Sequence, residues 1–327
     1  MLPDLAAIEA AAAIVHAAMP PTPAHRWPLL SARTGAEVWV KHENHTPIGA
    51  FKIRGGLVFI DRLRRERPDA AGVIAATRGN FGQSIAVAAG LAGLDAVVVV
   101  PRGNSREKNA AMEAQGAELV VHGGDFQESL EYVQTLAEAR GLHMVPSFDP
   151  TLVQGTATYA LELFRGVPDL DAVYVPIGLG SGICGVIAAR DALGLGAEIV
   201  GVCAERAAAY ALSFEAGRPV ATNSADTMAD GMACRVPDAD AVAIVNAGAA
   251  RVLAVSEDEI AAAMRAYYTD THNIAEGAGA APLAALTRER ETMQGRKVAL
   301  ILTGGNIDRE VYLRVLGGET GLPGRGD

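Results

Sequence analysis

Four short stretches of this 327-residue sequence hold residue types that could do chemistry together. The first, Lys41–Gly56, reads KHENHTPIGAFKIRGG and puts Lys52 directly after Phe51 at the expected start of a helix. A helix N-terminus disfavours positive charge, so a lysine there gives up its proton more easily and its amine becomes a nucleophile. The second, Thr77–Ser84, reads TRGNFGQS between a strand and a helix. Small and polar residues at such a turn expose backbone N–H groups, which suits a carboxylate. The third, Val175–Gly185, reads VPIGLGSGICG, a strand feeding a Gly-x-Gly-x-Gly turn that opens a helix. Unhindered N–H groups there can wrap a phosphate. The fourth, Leu302–Asp308, reads LTGGNID after the last strand, where Thr303 can point a hydroxyl into a site. Singly, each has a plain alternative, since most lysines lie on the surface and Gly and Asn are common turn residues. The glycine turn is not a dinucleotide fingerprint: its spacing is GxGxG, and Glu205 is one weak match for the acidic residue that should follow.

Alternating elements must carry these stretches. The spacing predicts a helix over 4–18, ended by Pro20 and Pro21, a strand at Glu37–Lys41 and a helix over Phe51–Arg65. A regular rhythm then predicts strands at Gly72–Thr77, Ala96–Val100 and Glu118–Val121, with a strand end at His143–Pro146. Helices are expected over Gly82–Leu91, Asn104–Gln115, Phe126–Arg140 and Thr158–Phe164. The same rhythm gives strands at Ala172–Ile177, Glu198–Cys203 and Lys297–Leu302, and helices over Cys184–Leu193, Ser256–Tyr268 and Ala281–Glu289. Ser256–Glu259 reads as a capping box, and Ala221–Val236 reads as loop. Strands alternating with helices imply parallel sheets covered on both faces, with ligands at the carboxyl ends of the strands. The fold class is therefore α/β.

Composition narrows the function classes. The length suits about two domains, and half of the residues are hydrophobic, enough for a large core. The formal net charge of −10 argues against a nucleic-acid partner. The odd cysteine count, with Cys184, Cys203 and Cys234 far apart, argues against a disulfide framework or structural zinc. That points to a reduced, cytoplasmic setting. No signal peptide or membrane span is evident, so no membrane role is expected. The sequence ends soon after the last strand, so a regulatory domain is not expected.

Together, in this order, the stretches resemble the pyridoxal-phosphate (PLP) enzymes of fold type II, the group of threonine dehydratase, serine racemase and tryptophan synthase β. ENHTPIGAFKIRGG resembles the cofactor-lysine motif of the dehydratase and racemase branch, and TRGNFGQS its substrate-carboxylate loop. VPIGLGSG resembles the phosphate cup, AEGAGA at Ala275–Ala280 a later acidic segment, and TGGNID the segment at the pyridine nitrogen. The resemblance implies two domains with parallel-rich twisted sheets: a larger one from residues 1–69 and 150–327, and a smaller inserted one from residues 70–149. It implies that Lys52 bonds the cofactor and then takes the substrate's Cα proton. Gly178, Leu179, Gly180, Ser181 and Gly182 would bind the cofactor phosphate, which is also the expected acid for the leaving hydroxyl. Asn80 would meet the cofactor's phenolic oxygen, Phe51 would pack beside its ring, and Thr303 would bond its pyridine nitrogen. Thr77, Gly79 and neighbouring amides would hold the substrate carboxylate. The implied activity is elimination of water, then ammonia, from a threonine- or serine-type amino acid to give a 2-oxo acid. Homodimers are common in the family and one is expected here.

Three departures bear on specificity. Arg78 stands where the racemase has its second base, and a guanidinium is a poor base. Arg78 could instead meet an acidic group on the substrate, which would suit 3-hydroxyaspartate. Phe81 stands where the dehydratases usually have histidine, which could favour a bulkier β-substituent, as in phenylserine. Ala211 stands where metal-dependent members carry an aspartate, after Glu205 and Ala209, so little Mg²⁺ dependence is expected. His42, His45, His122, His143 and His272 are scattered and read as structural. Racemisation and β-replacement remain the alternative chemistries of the same fold.

Overall fold

The structure, a computed structural model, describes residues 2–319. Met1 and residues 320–327, which the expected larger domain includes, lie outside the described residues. Its strands are β1 (Ala24–Arg26), β2 (Glu37–His42), β3 (Gly72–Ala76), β4 (Asp95–Val100) and β5 (Glu118–Val121). They continue as β6 (His143–Met144), β7 (Ala172–Pro176), β8 (Glu198–Ala204), β9 (Arg251–Val255) and β10 (Lys297–Leu302).

These strands form two sheets. One has six strands in the order β1-β2-β10-β7-β8-β9, and the other has four in the order β5-β4-β3-β6. Every pairing is parallel except that of β1 with β2. The sequence explains why. Side chains alternate across a strand, so a strand apolar at every position must be covered on both faces. In β10, Val298, Leu300 and Leu302 face one core cluster, while Ala299 and Ile301 face another. In β4, Ala96, Val98 and Val100 face one cluster and Val97 and Val99 a second. Helices supply the far side of each.

Helix Lys52–Glu66, helix Pro150–Gly166 and helix Ser181–Ala192 pack unusually close, and glycines permit it. A Cβ on Gly155 would lie 2.4 Å from the Arg54 carbonyl oxygen, and one on Gly185 would lie 2.8 Å from the Ala157 nitrogen. A buried ion cluster fixes the same junction. Arg54 donates to Glu43 at 2.7 Å and to Glu162 at 2.6 Å, and Lys41 donates to Glu162. Burial pushes the Glu162 carboxyl up, but Arg54 and Lys41 outweigh it and hold it down at about 2. Lys52 thus opens a helix anchored two residues further on.

The expected core elements are present, with three kinds of correction. The helix expected over 158–164 runs from Pro150 to Gly166. Pro150 is tolerated in its first turn, where Asp149 caps the chain. The helix expected from Asn104 spans Arg106–Ala114, with Ser105 as its cap, and the helix expected from Cys184 starts at Ser181. The strands β1 and β9 were not anticipated, nor were the helices Pro28–Thr34, Ala209–Ala216, Ala239–Gly248 and Arg309–Leu316. Most are short, and the Ala-rich ones show little apolar periodicity. The capping box at Ser256 and Glu259 is formed.

Candidate active site

The carboxyl ends of β3, β7 and β10 open onto one cavity of about 730 Å³ between the two sheets. It brings together Phe51, Lys52, Thr77–Phe81, Gly178, Leu179, Gly180, Ser181, Gly182 and Thr303, from all four stretches.

Lys52 is the first residue of its helix, after Phe51. Its Nζ donates to Ser181 Oγ at 3.1 Å and lies 5.0 Å from the centre of the Phe51 ring and 5.8 Å from that of Phe81. No carboxylate pairs with it among the described residues. Burial between the rings lowers the Lys52 amine to about 8. The shift comes from desolvation, not from the helix end as the sequence suggested.

The glycine turn is held from behind. The carbonyl oxygens of Leu179, Ser181 and Gly182 accept from Tyr210, Thr156 and Tyr159 respectively. The main-chain N–H groups of Leu179, Gly180, Ser181 and Gly182 bond nothing within the described protein. A Cβ on Gly178 would lie 2.2 Å from the Gly231 oxygen, so that position excludes a side chain. Gly180 has φ +98°, a left-handed conformation that favours glycine. Four free amides at the start of a 12-residue helix form an anion cup.

The Thr77–Phe81 loop differs in detail from expectation. Thr77 is buried, and its hydroxyl accepts the N–H of Gly79 and of Gly82. The Gly79 amide is therefore already used. The N–H groups of Arg78, Asn80 and Phe81 remain without partners in the described protein. Asn80 donates to Glu276 at 2.7 Å and accepts from Asn306 at 2.9 Å. Phe51 packs edge-on against Tyr159, and its N–H donates to the carbonyl of buried Thr303.

One cluster of cavity residues was not assembled by sequence reasoning, which marked only the acidic segment that holds Glu276. Lys108 Nζ donates to both oxygens of Asp230, at 3.0 and 2.9 Å, and to Glu276 at 3.0 Å. Burial alone would lower this amine, but Asp230 and Glu276 raise it above the ordinary lysine value. Desolvation raises the Glu276 carboxyl in turn. The partners lie 122 and 168 positions apart, so no local pattern could connect them. Arg235 also pairs with Asp125 at 3.0 Å in the cavity lining.

An amine of lowered basicity, an anion cup and a neutral hydroxyl around one cavity suit a phosphorylated carbonyl cofactor. The residues fit PLP: Lys52 offers the amine, the glycine cup its free amides, and Thr303 an uncharged partner. The family model described as "Pyridoxal-phosphate dependent enzyme" matches residues 15–304. The L-threonine ammonia-lyase of Thermotoga maritima is 34% identical over 88% of this chain and 72% of its own length. The L-threo-3-hydroxyaspartate ammonia-lyase of a Pseudomonas species is 33% identical over 91% of this chain and 93% of its own. The structure of threonine deaminase isoform 2 from Solanum lycopersicum superposes with a TM-score of 0.87 at 29% identity, covering 98% of this chain and 95% of that one. The chain belongs to the pyridoxal-phosphate-dependent enzyme family, with the fold type II architecture, and it is a lyase.

Proposed function

We propose that this protein is an ammonia-lyase (dehydratase) for small β-hydroxy amino acids of the threonine and serine type. The observation that carries this reading is the Lys52 amine, lowered to about 8 and 3.1 Å from Ser181 at the anion cup. The identity to ammonia-lyases across most of the chain supports it.

Bound PLP supplies an electron-withdrawing ring that stabilises negative charge at the substrate's Cα. The chain's own residues do the rest. Lys52 would hold the cofactor through its amine, and its Nζ would take the substrate's Cα proton. The amides of Gly178–Gly182 and the Ser181 hydroxyl hold the phosphate. The free amides of Asn80 and Phe81 take the substrate carboxylate at a helix N-terminus. Asn80 has a second N–H for the cofactor's phenolic oxygen, while Glu276 and Asn306 fix its orientation. Thr303 is neutral, so it would partner the cofactor's ring without forcing a proton onto it, which would suit prompt loss of a β-substituent. As the Cα–H and Cβ–O bonds break, the hydroxyl takes up a proton and leaves as water while a carbon–carbon double bond forms; hydrolysis of the released enamine gives a 2-oxo acid and ammonia.

The six-stranded sheet with its helices would form the larger domain, from residues 1–69 and 150–327, and residues 70–149 the smaller. A cytoplasmic homodimer is the assembly we infer. No helix among the described residues is long and apolar enough to cross a membrane.

The test is direct. Purified protein with PLP is given L-threonine, L-serine, threo-3-hydroxyaspartate and phenylserine, and 2-oxo acid is measured. Formation from one or more is expected. Cofactor-loaded protein that yields none from any would overturn the reading.

A further inference from the structure

Four cationic side chains line the cavity: Lys52, Arg78, Lys108 and Arg235. Three have a defined partner or task. Lys108 is held by Asp230 and Glu276, Arg235 by Asp125, and Lys52 serves the cofactor. Arg78 makes no ion pair and no side-chain hydrogen bond within the described protein, and its Nε is buried with no acceptor. A buried donor without a partner is costly, and a planar guanidinium matches a carboxylate with two parallel bonds. An unbonded guanidinium on a residue that lines the cavity suits an anion bound there.

The substrate's α-carboxylate has another place to go. The N–H groups of Asn80 and Phe81 are free at the first turn of helix Asn80–Leu91. These amides and Arg78 lie within four successive residues. Two adjoining anion sites suit a molecule with carboxylates on adjacent carbons. Lys108 cannot supply the second charge, because its ammonium already serves two carboxylates.

We propose that Arg78 is the specificity residue of this enzyme, and that its substrate class is the β-hydroxy amino acids carrying a second carboxylate on Cβ. This rests on the ammonia-lyase reading above and names the substrate of that same site. The chemistry balances without an oxidant. Loss of water across Cα and Cβ leaves an enamine diacid; tautomerisation and addition of water release ammonia and a 2-oxo diacid.

The experiment compares the holoenzyme and its R78L and R78K variants on threo-3-hydroxyaspartate, L-threonine and L-serine. Wild type should prefer the diacid in kcat/KM. R78L should lose roughly ten- to a hundredfold on the diacid, mainly through KM, the span expected for hydrogen bonds to a charged group. Its kcat/KM for L-threonine should stay within about threefold, far below that span. R78K should fall between, since an ammonium gives charge but not the fork. Equal losses on all three substrates would place Arg78 on the α-carboxylate or in the fold, and no loss would leave it without a role; either overturns the proposal. Should R78L not fold, the wild-type holoenzyme is titrated with succinate and with butyrate, following its visible absorption. Tighter succinate binding supports the proposal and equal binding overturns it. That titration needs no turnover, so its failure is distinct from a failure to form 2-oxo acid.

Discussion

Lys52 and Lys108 line one cavity, the first half-buried and the second buried, and they differ in what surrounds them. Lys52 has two aromatic rings and a serine hydroxyl nearby, and burial lowers its amine to about 8. Lys108 has Asp230 and Glu276 within hydrogen-bond distance, and these hold its amine above the ordinary lysine value. Burial disfavours an ammonium in both places, and only carboxylates reverse the sign. One fold thus makes a nucleophile and a fixed charge from the same residue type. The nucleophile opens the helix after β2. The fixed charge sits in the helix after β4 and ties it to loops beyond β8 and before β10.

Several changes would break or sharpen this contrast. Replacing Lys52 with Ala should reduce 2-oxo acid formation by at least about a thousandfold, since proton abstraction goes with it; steady-state assay of cofactor-soaked protein reads this. Replacing Lys108 with Met should act on the fold instead. It leaves two carboxylates buried without their cation, costing roughly 3–5 kcal/mol, which thermal unfolding would show as a clear fall in Tm. A K108M protein as stable as wild type would mean that Asp230 and Glu276 find other compensation. Adding Glu276→Gln to K108M should recover part of the loss.

A smaller effect lies in pH. The free amine, not the ammonium, attacks the cofactor, so capture of PLP by the apoprotein should speed up as pH rises. With Lys52 at about 8, the free fraction grows about tenfold between pH 7 and 9 and then levels. Stopped-flow absorbance would follow it. A rate still climbing steeply beyond pH 10 would mean that Lys52 titrates as an ordinary lysine. The smallest effect should come from chelation. Glu205 pairs with Arg288 at 3.2 Å, and Ala211 offers no ligand, so EDTA should change kcat by less than about twofold.

Much of this was legible in the residues. The β-branched runs of β3, β4, β7 and β10 announced buried parallel strands, and the glycine turns marked the strand ends that carry the site. Lys52, Ser181 and Thr303 converge as their motifs implied. What the sequence hid has physical causes. The Lys108 cluster is built from residues far apart in the chain, and charge pairs across a fold leave no periodic trace. The Thr77 hydroxyl serves its own loop, which a motif cannot tell from a hydroxyl that serves a substrate. Helices such as Ala239–Gly248 are short and Ala-rich, so packing rather than pattern defines them.

The most direct test of the account asks where the cofactor attaches. Protein loaded with PLP is reduced with borohydride, digested, and its peptides are weighed. A stable cofactor adduct is expected on Lys52 and none on Lys108, because only the first amine is freed by its surroundings. An adduct on Lys108, or none on Lys52 in protein that retains the visible absorption of bound cofactor, would contradict it.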